Sequence, residues 1–357
     1  MLFPYTYVPH QMDKMQTFID FIFYAVWCQA PSKGPYRLEL FTLNPKLHEV
    51  MDAFHHDDSD AAYFFSSHVE RIYGLFATLS ACQVEQLRLW YRANNDVEHV
   101  CANDPATSLK RYADFPAELQ DLRDQLASFF KKLYSRVDVA ALKKWIGDIG
   151  DHYQAFVAVN KAGKCPFCGI NDLLGEYHSK REAYDHYLPK ALYPFNSINF
   201  KNLAPACHHC NSSYKTSKDA AHSLKDPAGA QTRRKAFYPY SLQPYEVKVT
   251  FTLARVDLAS LEPVHVSVQF GPDELREQID TWRDVYGIDE RYKAKLCGEN
   301  DGKYWLEQAL DEWVEKKGNP ADLVAAVQLK AANWPFAESN FLKAPFLAAC
   351  EANGVFK

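Results

Sequence analysis

No stretch of this chain is long and apolar enough to cross a bilayer. The most apolar early run, "FIDFIFYAVWC", is short and is broken by Asp20, far below the roughly 18–20 apolar residues that a span requires. Met1 to His10 lacks the basic segment that opens a secretory signal. These absences predict a soluble, cytoplasmic protein without membrane contact. Low-complexity tracts and internal repeats are also missing, which excludes a disordered tail or a solenoid. Overall positive charge is absent too: 40 Lys and Arg stand against 45 Asp and Glu, a formal net charge of −5. The whole-chain balance therefore gives no sign of nucleic-acid binding. The nine cysteines do not make an even set. Five of them (Cys28, Cys82, Cys101, Cys297 and Cys350) are scattered and read as small core residues of a reducing compartment.

What is present is apolar material in quantity. Of 357 residues, 47% are hydrophobic and 14% aromatic, enough for two or three domains of about 100–200 residues each. Residues 1–160 read as a helical domain: Met15, Phe18, Ile19, Ile22 and Val26 recur at helical spacing, as do Phe65, Val69, Ile72, Phe76 and Leu79, and Leu119, Leu122, Leu126, Phe129 and Leu133. Residues 161–240 change character, with Gly, Pro, Asn, His and Cys frequent. Twelve Lys and Arg face six Asp and Glu there, a local charge of +6 that leaves −11 for the rest. Such an island suits a polyanion. Residues 241–357 begin with two alternating stretches, "YEVKVTFTLARV" and "PVHVSVQF", which predict a β-hairpin. Helices resume at Asp273; Leu306, Ala309, Leu310 and Trp313 form one stripe, and "PADLVAAVQLKAANW" opens another on a proline. This last region reads as regulatory or interacting. The expected fold is mainly α, with a small α+β insert in the middle.

The insert carries the chemistry. Cys165 and Cys168 lie in "CPFCG", and Cys207 and Cys210 in "CHHC". Two C-x2-C pairs in an intracellular chain are a metal pattern, and four thiolates close a structural tetrahedral zinc site. Thirty-eight residues separate the pairs, against about 15–20 in a plain zinc ribbon, so something is inserted between the knuckles. Within that insert come "YDHYLPK" from Tyr184 and "NLAPACHHCNSSYK" from Asn202. Phosphodiester hydrolysis needs a base for water, neutralisation of the phosphate, and stabilisation of the leaving oxygen. A histidine, a carboxylate and an amide oxygen form a minimal set for these tasks.

In these three motifs the chain resembles the HNH nucleases (the ββα-metal or His-Me finger family) in their zinc-stapled branch, over roughly residues 161–220. The resemblance implies that His186 is the general base, that Asp185 is a ligand of a catalytic divalent ion, and that Asn202 braces the loop and orients the histidine. Asn211 would be the second ligand on the metal side. Lys215 looks like a phosphate contact, although family members often place that lysine one residue earlier. Lys190 and Arg181 are further candidates for the nucleic-acid backbone, and Arg234 belongs to the same basic island. The implied cofactors are structural Zn²⁺ and catalytic Mg²⁺ or Mn²⁺. DNA is the expected substrate, with an RNA-directed nuclease or a non-catalytic zinc-stabilised binding module as alternatives. A setting in bacterial antiviral defence, with an ATPase partner engaged through the flanking regions or an oligomer, belongs to the same resemblance. Activity is expected to fall below about pH 6.5, where an ordinary histidine protonates.

Other residues invite a functional reading and are discounted. "HHDD" at His55–Asp58 precedes a strong helix that Asp58 or Ser59 can cap. His208 and His209 sit between zinc cysteines whose shell is already full. Tyr184 and Tyr187 flank the Asp-His pair as packing residues.

Overall fold

The computed structural model describes residues 1–136, 140–254, 260–316 and 320–356. Arg255 and Val256 of the first alternating stretch, and the Trp313 side chain, lie outside the described residues. The fold is mainly helical with two small antiparallel sheets. The first segment carries α1 (Asp13–Phe21), α2 (Ala30–Lys33), α3 (Pro45–His55), α4 (Asp60–Phe76), α5 (Ala81–Asn95), α6 (Val97–Cys101), α7 (Gln120–Leu133), α8 (Ala140–Ile146) and α9 (Ile149–Val159). The middle holds β1 (Ala183–His186), β2 (Leu203–Ala206) and a π-helical turn, His209–Lys215. The third segment holds β3 (Lys248–Leu253), β4 (Val266–Gly271), α10 (Arg276–Tyr286), α11 (Ile288–Leu296), α12 (Tyr304–Lys316), α13 (Pro320–Asn333) and α14 (Asn340–Ala352). Among the described residues, no helix is long and apolar enough to cross a membrane.

The helical spacing read from the sequence maps onto buried faces. Phe65, Val69, Ile72 and Phe76 of α4 are buried, as are Leu122, Leu126, Phe129 and Leu133 of α7. The Ser59 hydroxyl accepts from the Ala62 amide and caps α4, while His55 to Asp58 stay exposed. That capping satisfies a backbone donor which the helix itself cannot. β3 and β4 form the expected hairpin, with Lys248 opposite Gly271 and Leu253 opposite Val266.

The three segments were expected as separate domains, yet one buried apolar cluster runs through all of them. Phe195, from the middle segment, packs 5.6 Å from Phe23, 5.2 Å from Tyr91 and 5.5 Å from Phe130. Its backbone φ of 80° is unusual for a residue with a side chain and costs on the order of 1–3 kcal/mol. Burying a whole phenyl ring among three aromatic partners offsets that. The insert therefore draws its core from the helices around it and does not depend on metal alone to hold together.

Candidate functional site

Cys165, Cys168, Cys207 and Cys210 are all buried, and their sulfur atoms lie within 4.8 Å of one another. The Cys168 and Cys207 sulfurs are 4.0 Å apart. Four sulfurs about 2.3 Å from one ion would be about 3.8 Å apart, so the cluster is already close to a tetrahedral shell. The first knuckle closes through the Gly169 amide, which donates to the Cys165 carbonyl at 2.7 Å. Gly169 has φ of 70°, and a Cβ there would lie 2.4 Å from Leu2 Cδ1. Both the left-handed turn and the close packing exclude a side chain. Burial pushes the Cys165 and Cys210 thiols up, while hydrogen bonds from neighbouring thiols pull Cys168 and Cys207 down. His208 and His209 are exposed and stand apart from this shell.

Asp185 and His186 end β1, where they pair with Ala204 and Leu203 of β2. Side chains alternate across a strand, so the two project to opposite faces. Asp185 points inward and is 2% exposed. The Lys215 ammonium donates to Asp185 Oδ1 and to the His186 carbonyl, both at 2.8 Å. Asp185 Oδ2 is buried without a hydrogen-bond partner. Burial raises the Asp185 pKa, opposed by the Lys215 charge and by the Tyr286 hydroxyl nearby.

Lys215, expected at a phosphate, is instead fully buried. The turn that carries it is wider than an α-helix: the Thr216 amide reaches back five residues to the Asn211 carbonyl, at 3.0 Å. One extra residue per turn changes the direction of Lys215 and aims its ammonium at Asp185. Arg234, also expected on the basic surface, is occupied by Asp284 at 2.7 Å and by the Asp219 carbonyl.

His186 is half-buried, and its Nε2 lies 2.9 Å from the Ser197 carbonyl. A carbonyl can only accept, so Nε2 carries the proton and the lone pair of the neutral ring sits on Nδ1. The edge of Tyr134, just past the end of α7, packs against the ring at 4.9 Å. Burial, with the charges of Lys190 and Lys215, lowers the His186 pKa to about 3. The expected loss of the base below about pH 6.5 assumed an ordinary histidine, whereas burial and the two lysines shift this one towards lower pH.

Asn202 is fully buried. Its Oδ1 accepts from the Leu188 amide at 2.7 Å, and its Nδ2 donates to the carbonyls of Leu188 and Asn196, at 3.0 and 3.3 Å. It therefore ties both ends of the loop that brings Ser197 to His186. Asn211 lies on the π-helical turn; its backbone amide donates to the Cys207 carbonyl at 3.0 Å, and its side-chain amide forms no hydrogen bond with the described residues. Lys190 is half-buried with its ammonium 5.4 Å from the Tyr134 ring centre, while Arg181 is exposed beside Tyr184. A cavity of about 220 Å³ lined by Tyr134, Ser135 and Arg181 opens next to this corner. Tyr184 and Tyr187 are buried packing residues.

Sequence reasoning missed Tyr134, Ser197, Tyr286 and Arg291. Arg291, from α11, donates to the Cys210 sulfur at 3.1 Å. No local spacing marks any of the four, since each reaches the site from a separate stretch of chain. Compared with protein-family models, curated proteins and solved structures, the chain matches none.

Proposed function

We propose that the chain is a divalent-metal-dependent HNH-type endonuclease that hydrolyses DNA phosphodiesters and uses its four cysteines as a structural zinc site. The observation that carries this reading is the state of His186: a neutral imidazole with one nitrogen fixed by Ser197 and a lone pair left on the other. One residue earlier, on the opposite face of β1, stands a buried carboxylate whose Oδ2 has no hydrogen-bond partner among the described residues. That unused Asp185 Oδ2 and the free Asn211 amide suit a hard cation, so these two residues would hold Mg²⁺ or Mn²⁺. When bound, the ion supplies charge neutralisation at the phosphate and stabilisation of the leaving oxygen.

The chain's own residues supply the rest. His186 Nδ1 accepts the proton of the attacking water. Ser197 and Tyr134 fix the plane of the ring, so the lone pair keeps its direction. Asn202 keeps Ser197 in place by tying the loop at Leu188 and Asn196. Lys215 holds Asp185 against the end of β1 through Oδ1, and the cation would take Oδ2 in competition with the nearby Tyr286 hydroxyl. Arg181 and Lys190 lie where a backbone phosphate can reach them, and contacts of this kind bind without reading sequence.

The test is incubation of zinc-loaded protein with supercoiled plasmid, single-stranded DNA and RNA, each with Mg²⁺, Mn²⁺ or chelator. Metal-dependent DNA cleavage that disappears in His186→Ala supports the reading. RNA cleavage alone reassigns the substrate, and binding without cleavage in any metal overturns the enzyme.

A further inference from the structure

We infer that Arg291 is the charge partner of the four-cysteine centre, a guanidinium held on the Cys210 sulfur and aimed there by Asn171. This rests on reading the cysteines as a zinc site. Four thiolates on one Zn²⁺ carry a net charge of −2, and a buried charge of that size needs compensating donors. The first knuckle and the π-helical turn supply little of this. The Cys207 amide points at the Cys165 sulfur from 3.5 Å. The strong donor comes from α11, where Arg291 Nη1 reaches Cys210 Sγ at 3.1 Å and Nη2 reaches Asn171 Oδ1 at 3.0 Å.

The arginine itself points to the same pairing. It is 8% exposed. Among the described residues no carboxylate forms an ion pair with it: the adjacent Glu290 accepts from the Tyr214 hydroxyl instead. A buried guanidinium without an anion is costly, because a charge removed from water must be paired. Among the described residues, the anion that the geometry offers is the sulfur cluster. The Tyr214 ring, 4.7 Å from the guanidinium, covers one face and limits its movement. Asn171 accepts the second nitrogen while its own carbonyl holds the Cys165 amide at 2.9 Å. A planar, forked donor can serve a sulfur and an amide oxygen together, which an ammonium cannot do with the same geometry.

The neighbouring helices close on the same knuckle. Trp282 donates to the Phe167 carbonyl at 2.7 Å, and Tyr292 to the Cys168 carbonyl at 3.0 Å. Retention of the metal therefore depends on α10 and α11, outside the cysteine motif itself.

The experiment uses the full chain, loaded with Zn²⁺ for release kinetics and with Co²⁺ for absorption spectra. Arg291→Met is expected to release zinc to a chromophoric chelator about 10–100-fold faster than the unmodified chain, the usual effect of removing an outer partner of a metal ligand. The sulfur-to-cobalt charge-transfer band should move to longer wavelength, since a thiolate without its donor gives up electrons more easily. Arg291→Lys should fall between the two. Should Arg291→Met fail to fold, Asn171→Ala removes the aim of the guanidinium, together with a side-chain contact 3.7 Å from the Cys168 sulfur, and it should speed release by a smaller factor with the same direction of band shift. Unmodified protein that holds one metal ion, beside variants with unchanged release and unchanged spectrum, would overturn the pairing while leaving the zinc site intact. Unmodified protein that binds no metal would overturn both.

Discussion

The two corners of the central segment handle their polar atoms in opposite ways. Around the four cysteines nearly everything is engaged. The carbonyls of Pro166, Phe167 and Cys168 accept from Leu2, Trp282 and Tyr292, and the Cys210 sulfur accepts from Arg291. Around Asp185 and His186, atoms are left over. Asp185 Oδ2, Asn196 Oδ1 and the Ser197 hydroxyl oxygen are buried without partners, and His186 keeps a lone pair free. An unsatisfied buried polar atom costs about 1–3 kcal/mol. Native proteins keep few of them and keep them where they serve a purpose. The contrast separates a closed corner that holds shape from an open one with capacity in reserve.

The strongest way to break this contrast is to open the closed corner. Cys207→Ser should lose the metal, expected at one ion per chain by elemental analysis, and with it binding energy of order 10 kcal/mol. The thermal midpoint should fall by more than about 10 °C, with the shared aromatic core keeping part of the helical signal. The next change silences the open corner without touching the closed one. His186→Ala should reduce cleavage by about 10²–10⁴-fold, the contribution of a placed general base. Metal content should be unchanged. Full cleavage by a verified variant would remove the histidine from the mechanism.

Asp185→Ala sharpens the comparison differently. It leaves Lys215 buried and unpaired, so a loss of about 3–5 kcal/mol in denaturant unfolding is expected besides any loss of activity. A variant with unaltered stability would mean that Lys215 finds water or another partner. Asn202→Ala strips three hydrogen bonds from the loop at Leu188 and Asn196 and should cost about 2–4 kcal/mol. Cleavage should fall with it, because the Ser197 carbonyl no longer fixes His186.

The smallest effect is one of pH. His152 is buried beside the Tyr184 hydroxyl, and burial lowers its pKa from 6.5 to about 4. Between these values the unfolded chain binds the proton more readily than the folded one. Stability is therefore complete above about pH 6.5 and declines as the pH falls towards 4. Between pH 7 and pH 5 the loss is about 2 kcal/mol, visible as a lowered midpoint that flattens in His152→Gln.

Features that depend on short spacing were legible in the sequence. The four cysteines come together because two C-x2-C turns can each present a pair of sulfurs, and the buried stripes of α4 and α7 follow helical period directly. The β3–β4 hairpin followed from period-two alternation in the same way. Features decided by direction or by distant chain were not. Lys215 was read as a surface cation because its charge was visible but the widening of its turn was not. Phe195 was unremarkable in sequence, yet it joins the insert to the helical segment within one buried cluster. The environment of His186 was not legible for a related reason: burial under Tyr134 and two lysines lower its pKa, and no ordinary value for the residue type includes those. Asp185, His186, Asn202 and Asn211 were picked out by motif, and what they do rests on the cleavage and metal-binding tests.

The pairing of Arg291 with Cys210 has a consequence in time. The two residues are 81 positions apart. At a synthesis rate of about 5–20 residues per second, the fourth sulfur precedes its arginine by roughly 4–16 s. For most of that interval all four sulfurs have been made while α10 and α11 have not. A nascent chain at this stage offers an uncovered, exchange-prone cluster to any soft metal, oxidant or zinc donor around it. Any ion that the cluster takes up is thus open to selection before the fold is complete, and the arrival of α11 would turn a temporary choice into a lasting one.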